Sequence, residues 1–511
     1  MTPRVVSLAT AVLVLPALAL ATLGGHRFIP DDVYFYLKIS DAIARGAGST
    51  FNGLVPTNGY HPLWMLVCVA ARFVTGADPA LRIQAHLAIS ALGNLLAVVA
   101  AYGAAKSSKQ ELTGLAVVLI AAYVTFNPLG SELHVSLPLL LVAVRLALQR
   151  SSLVLLGAVL GLATLARLDN VFVTFALGVA AIVPRNGEAR AVVLRRGAML
   201  FAAFALVLAP YLAWNVATFG HLVPISGAIK RGLAEQAGWH PEKLGRQAWL
   251  LTAVCVAAVP FAWRWARARH GDSVSLAVCL GALAHATYAL LRMEAIWPWY
   301  FAGELITAAF ALDFALVRVT RELSIRSTVC AVACALALLA LPAIAVGNAR
   351  TAFSEDHPWY LDAARFVDAN VPRGAAVAAS CSPGALAFFS HRAVFALDGL
   401  TGDYAFHERA SRDGLEPALR ELGVTAVFSI GPDSRELPPL FARTRAIGHG
   451  GEGPSFEGQV NAAGMGHAAR IGLYSAITRR SVGWLATNDA NLIARCPCSR
   501  DIALWKLAAG P

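Results

Sequence analysis

Apolar runs of about 20 residues follow one another from the N terminus to about residue 347 of this 511-residue chain. Each is long enough to cross about 30 Å of hydrocarbon, where only a helix or a closed barrel can satisfy its own backbone hydrogen bonds. Charged residues make up 14% of the chain, against about 25% in a soluble globular protein. Most of the sequence therefore reads as lipid-embedded. Beyond residue 350 the composition turns to an ordinary globular mix. The expected architecture is an α-helical polytopic membrane protein of about 11 transmembrane helices, followed by a soluble α/β domain. The division falls between residues 1–350 and residues 351–511.

A net charge of +11 would suggest nucleic acid in a soluble chain. Here the basic residues sit in short loops between apolar segments, the positive-inside pattern, so nucleic-acid binding is not expected. Arg4 places the N terminus in the cytoplasm, and residues 4–23 read as an uncleaved first span rather than a signal peptide. Lys106 with Lys109, Arg145 with Arg150, and the runs 185–196, 264–270 and 318–326 mark cytoplasmic loops. Between them the spans read as 112–128, 133–149, 152–166, 170–184, 197–214, 248–265, 273–291, 299–317 and 328–347. Residues 61–77 and 83–104 are both apolar, yet one net crossing fits there. The first of them is expected to dip in or lie at the interface, as its Pro62 and Arg72 would allow. Cys68, Cys255, Cys279, Cys330 and Cys334 lie in apolar segments as small hydrophobes. Cys381, Cys496 and Cys498 fall in the tail, and Cys496-Pro-Cys498 lacks the spacing of a zinc or redox pair.

This topology puts the polar outliers of the apolar region on one external face. They are Asp31, Asp32 and His61 in the 26–60 loop and its edge, Glu132 and His134 in NPLGSELH, and Arg167 and Asp169 in LARLDN. His221 and Lys230 follow in WNVATFGHLVPISGAIK, then Glu294, Trp297, Trp299 and Tyr300 in MEAIWPWY. A carboxylate at bilayer depth costs about 2.5–3.5 kcal/mol, so such groups line a cavity or pair with one another. The densest stretch runs from Ile29 to Trp64. Pro30 before Asp31 and Asp32 predicts an extended approach, then a helix with acids in its first turn that stops near Gly46 and Gly48.

The stretch DDVYFYLKISDAIARGAGSTFNGLVPTNGYHPLW resembles the first external loop of the GT-C superfamily of membrane glycosyltransferases, which use polyprenyl-phosphate sugars as donors. Its Asp-Asp-aromatic opening, Gly-rich turn and Pro-Leu-Trp are most similar to bacterial members related to arabinofuranosyltransferases and mannosyltransferases. Gly130-Ser131-Glu132 resembles the acidic second external loop, LARLDN the Arg-x-Asp signature, FGHLVPISGAIK the Phe-Gly…Pro-x-Ser/Thr…Lys loop, and WPWY an aromatic pair. Asn170 in place of a Gly, and His134, depart from that pattern.

The resemblance implies a multi-pass cell-membrane enzyme with its active site and C-terminal domain on the periplasmic side. It would move a sugar from a polyprenyl-phosphate donor to an envelope glycan or lipid acceptor. Asp31 or Asp32 would be the general base, the other positioning acceptor or a divalent cation; both also suit a plain helix start. Glu132 would hold sugar hydroxyls or a cation, or simply open a span. Lys230 and Arg167 would neutralise the donor phosphate, though Arg167 can equally bridge to Asp169 or Glu132. His61 would hydrogen-bond phosphate or sugar, or close a turn. Trp299 and Tyr300 would stack on sugar or isoprenoid, or belong to the interfacial belt. The rival reading is a transporter or flippase of lipid-linked sugars, for which inverted repeats and broken helices are the expected marks.

In the tail, AAVAAS, RAVFALDGL, VTAVFSI and IALWKL read as strands and PGALAFFS as a short helix, an α/β pattern with a parallel core. Asp398 in LDGL reads as a turn residue, and 448–466 as loop or hairpin. GxxxxGK[ST] does not occur, and no nucleotide site is expected.

Overall fold

The computed structural model describes residues 29–108, 113–126, 129–184, 188–237, 245–268, 273–293, 297–322, 359–379, 383–397, 399–413, 415–430, 492–496 and 502–506, with a few single positions besides. The expected first span 4–23, the span 328–347, Glu294, Cys381, Cys498, Asp398 and the 448–466 stretch lie outside them.

Helix α1, Asp31–Ala44, begins where Pro30 holds an extended backbone (φ −75°, ψ 166°) and carries Asp31 and Asp32 in its first turn. It stops before Gly46 and Gly48, both at positive φ, as the glycines predict. Helix α2, Pro62–Thr75, is 14 residues long, roughly 21 Å at 1.5 Å per residue. That is short of a crossing. Trp64, Met65, Cys68 and Ala71 face inward, while Phe73 and Val74 stand 69% and 87% exposed. Arg72 Nε donates to Asp41 of α1 at 2.7 Å.

The long helices α3 (Pro79–Ser107), α8 (Arg190–Phe219), α10 (Gly245–Ala268) and α11 (Val274–Arg292) contain the apolar segments long enough to span a membrane. Between them run α4 (Leu115–Phe126), α5 (Leu133–Gln149), α6 (Leu153–Ala166), α7 (Val171–Ile182) and α9 (Ile225–Ala237), and α12 (Ala302–Glu322) follows α11. The expected spans all fall on helices where residues are described. By length and apolarity, four segments among the described residues qualify outright.

Small residues set the closest approaches, as in membrane bundles where packing rather than water drives association. A Cβ on Gly93 of α3 would stand 2.0 Å from the His134 carbonyl of α5. Gly157 and Gly161, a GxxxG pair on α6, meet Leu200 and Val207 of α8 in the same manner. The buried Asp313 of α12 accepts from Thr113, Gly114 and Ala116 N–H groups at 2.7–3.1 Å, and so caps the start of α4 across the bundle.

The C-terminal part contains α13 (Trp359–Asn370), β1 (Ala376–Ala379), α14 (Pro383–Phe389), β2 (Ala393–Ala396), α15 (Tyr404–Asp413), α16 (Leu415–Glu421), β3 (Val424–Ile430), β4 (Leu492–Cys496) and β5 (Ile502–Lys506). The strands form one sheet in the order β2-β1-β3-β5-β4. β1 lies parallel to β2 and β3, while β5 runs antiparallel to both β3 and β4. The strands β2, β1 and β3 thus form the parallel core expected, and β5 with β4, a strand additional to those expected, extends it antiparallel. One hydrophobic cluster joins Val377, Val394 and Phe428 of this sheet to Phe35, Phe51, Tyr60 and Trp64 of the first loop and its helices. The two ends of the chain share a core.

Candidate active site

Segments far apart in sequence close on one cavity of roughly 80 Å³, lined by Asp32, Tyr36, His61, Glu132, Lys230, Trp299, Tyr300 and Thr401 among others. Asp32 comes from the first turn of α1. His61 stands at the N terminus of α2, its own backbone N–H bonded to the Tyr36 hydroxyl at 3.2 Å. Gly130, at φ 89°, turns the chain so that Glu132 reaches the cavity; a Cβ there would strike Val33 of α1 at 2.8 Å.

Lys230 is delivered by α9. The start of that helix is tied to the first loop by two fully buried amides. Asn58 Nδ2 donates to Asn215 at 3.1 Å, and Asn58 Oδ1 accepts from the Ile225 N–H at 2.9 Å. Trp299 and Tyr300 come from a one-turn 3-10 helix over Pro298–Tyr300, and Trp297 stacks on Trp299 with ring centroids 5.1 Å apart. Leu400 and Thr401 reach in from the sheet unit.

Cation and carboxylates divide the walls. Lys230 Nζ donates to the Tyr300 hydroxyl at 2.6 Å. Asp32 opens onto the cavity, yet protein surrounds it. That enclosure raises its pKa above the ordinary carboxylate value, Lys230 pulling the other way and Glu132 adding to the rise. Glu132, 6% exposed, pairs with Arg167 Nη1 and lies 3.8 Å from His61 Nε2. His61 Nδ1 accepts the Leu168 N–H at 3.3 Å, which leaves the ring hydrogen on Nε2, directed at Glu132. Burial pushes the His61 pKa down to about 4, against the opposing pull of Glu132. The ring is thus a neutral donor above that pH.

Three of the expected site residues stand elsewhere. Asp31 turns away from Asp32 and caps α14, accepting the N–H groups of Gly384 at 3.1 Å and Ala385 at 2.7 Å. Arg167, 1% exposed, lies behind the cavity wall with its guanidinium 3.8 Å over the Tyr300 ring. Asp169 pairs with it at 2.8 Å. Arg167 therefore forms the bridge weighed for it, with both Glu132 and Asp169. Of the other external-face residues, His134 binds Asn94 of α3 at 2.6 Å and His221 stacks on Tyr404 with centroids 3.8 Å apart.

Sequence reasoning missed Asn58, Asn215, Thr401, His285 and Glu304. The last two were open to detection as lone ionisable residues inside apolar runs. Among the described residues no three His, Cys, Asp or Glu side chains gather to hold a metal ion; Asp32 and Glu132 are the carboxylates on the cavity wall.

Against known proteins, no family model matches the chain, nor does any curated protein. Solved structures do. One of them shares the fold over almost the whole chain. The particular likeness is to ArnT from Cupriavidus metallidurans bound to undecaprenyl phosphate, with a TM-score of 0.53, 14% identity and 98% of each chain covered. The apo state of that protein gives 0.48 at the same identity and coverage. An Archaeoglobus fulgidus oligosaccharyltransferase tethered with an acceptor peptide gives 0.49 at 14% identity, over 83% of this chain and 69% of that one. At such identities the likeness is one of fold, and residue roles have to come from the cavity itself.

Proposed function

We propose that this chain is an integral-membrane glycosyltransferase moving a sugar from a polyprenyl-phosphate-linked donor to an envelope glycan or lipid acceptor on the external side of the membrane. The observation carrying the reading is that Asp32, Glu132 and Lys230, from three distant segments, line one cavity. The similar ArnT structure holds undecaprenyl phosphate, which makes a polyprenyl phosphate the natural donor carrier to test.

Asp32 takes the proton of the acceptor hydroxyl as its oxygen bonds to the anomeric carbon. The bond from that carbon to the phosphate oxygen breaks, and its electron pair leaves on the phosphate. Lys230 neutralises that developing charge. A carboxyl with a raised pKa is a better base near neutrality than an ordinary one. Glu132, held by Arg167, accepts from sugar hydroxyls, and the His61 Nε2–H donates to sugar or phosphate. Trp299 and Tyr300 offer flat faces to the sugar. Displacement in one step inverts the anomeric centre; a retaining route would need a second carboxylate placed as nucleophile about 5 Å away.

The test is reconstitution of the full chain in proteoliposomes with a radiolabelled polyprenyl-phosphate sugar and an extracted envelope acceptor. Label should pass covalently to the acceptor, and Asp32→Asn should lower the rate by roughly 10²–10⁴-fold with the protein still folded. Label that crosses the bilayer with its phosphodiester intact would instead make the chain a transporter.

A further inference from the structure

Two ionisable side chains in the helical bundle take no part in the scheme above. His285 of α11 and Glu304 of α12 are 4% and 0% exposed. His285 Nδ1 lies 2.8 Å from Glu304 Oε1, and the ring is flanked by Phe172 and Phe301 at centroid distances of 6.0 and 5.7 Å. Its other nitrogen points at Asp169 Oδ2 from 3.5 Å, longer than a well-made hydrogen bond. Asp169 in turn bonds Arg167, and Arg167 holds Glu132 on the cavity wall. A line of polar groups, closed except at the His285–Asp169 step, thus runs from the bundle to the cavity.

The line is tight at its inner end and slack in the middle. His285 Nε2 and Asp169 Oδ1 are both buried without a hydrogen-bond partner. Buried polar atoms are normally satisfied, and an exception calls for an explanation. A cluster that only stabilised the bundle would gain by closing this gap. A cluster that adjusts Asp169 as the cavity fills would keep it, because hydrogen bonds around a reacting centre often tighten only with substrate in place.

We propose that His285 is a positioning residue. Its ring is anchored by Glu304, it steers Asp169, and through Arg167 it sets where the Glu132 carboxylate stands. Neither His285 nor Glu304 lines the cavity. The inference rests on the glycosyl-transfer reading for its kinetic readout.

Two substitutions separate the ends of the ring. The amide nitrogen of glutamine stands near the place of Nε2, and that of asparagine near Nδ1. His285→Gln therefore keeps the link toward Asp169, and His285→Asn keeps only the link to Glu304. In the full chain, H285Q should retain kcat within about tenfold of the wild type. H285N should lose about 30–100-fold in kcat, with donor KM and Tm unchanged in both, the pattern of a lost transition-state interaction. A structural role predicts the reverse order, because the shorter contact is the one to Glu304. H285N as active as H285Q, or losses that follow Tm, would overturn the inference.

Should H285N fail to accumulate, Glu304→Leu decides. It removes the buried carboxyl and leaves the imidazole unanchored, and should cost about tenfold in kcat at constant KM; unchanged kcat overturns the inference. A wild-type chain that transfers no label defeats the functional reading and this inference together. An active wild type with the wrong variant order defeats the inference alone.

Discussion

Asp31 and Asp32 are adjacent in sequence, and one residue of helix turns them about 100° apart. One faces a cavity and the other a helix end in the C-terminal part. Asp31→Ala should therefore act on stability, lowering it by about 0.5–2 kcal/mol as the loss of a helix cap does. Transfer per folded molecule should stay within a few-fold, as measured by Tm beside kcat. Asp32 should show itself in the pH profile. The proposed base must be ionised to act, and enclosure raises the Asp32 pKa, so the acid limb of the rate profile should lie above the ordinary aspartate value of about 3.9.

The neighbours of Asp32 fix the sign of two further shifts. Lys230 lowers its pKa and Glu132 raises it. Lys230→Met should accordingly move the limb to higher pH and Glu132→Gln to lower pH, whatever each does to the plateau. Parallel shifts in both variants would remove Asp32 from the base position. That the two aspartates differ was not readable from the sequence. The acidic first turn was plain in the PDD opening, but only the tertiary partner, Gly384, distinguishes its members.

Among the elements, the close helix crossings rest on glycines. Gly93→Val should disturb the seam between α3 and α5, since a Cβ there already meets the His134 carbonyl at 2.0 Å. Overpacking of this sort costs about 1–3 kcal/mol or more. It should appear as a lowered Tm of the purified protein and as lowered yield, because His134 and Asn94 are displaced with the backbone. Gly157→Val should do likewise between α6 and α8. Helix existence was legible from apolar runs, and the odd status of 61–77 from the charge parity around it. The pairing of helices was not, since GAVLG in an apolar run marks a contact face without naming its partner. The pairing of His285 with Glu304 was hidden for a related reason. Each is a single polar letter in an apolar run, and only the approach of α11 to α12 shows that they belong together.

For the molecule as a whole, the cavity is completed by both ends of the chain. Leu400 and Thr401 line it from the sheet unit, and a Cβ on Gly59 would stand 1.8 Å from the Leu400 carbonyl. Gly59→Val should push that turn away from the first loop. Limited proteolysis of the full chain should then cut the C-terminal part faster than in the wild type, with transfer lost in step. Equal protection would mean that the turn can yield without opening the seam. The strands at AAVAAS and VTAVFSI could be read directly, because short apolar runs between turn signals leave few alternatives. Their docking on α1 could not, since the contact joins residues that no local pattern connects.

That contact has a consequence for biosynthesis. The cap between Asp31 and Gly384 joins residues 353 positions apart. At about 5–20 residues per second a ribosome needs roughly 20–70 s to cover that distance. Throughout that interval the emerging first loop waits with Asp32 in place and its roof unmade. Until about three-quarters of these 511 residues have been made, the first loop therefore lacks the partner that Asp31 caps, and chemistry at the proposed site must wait for it.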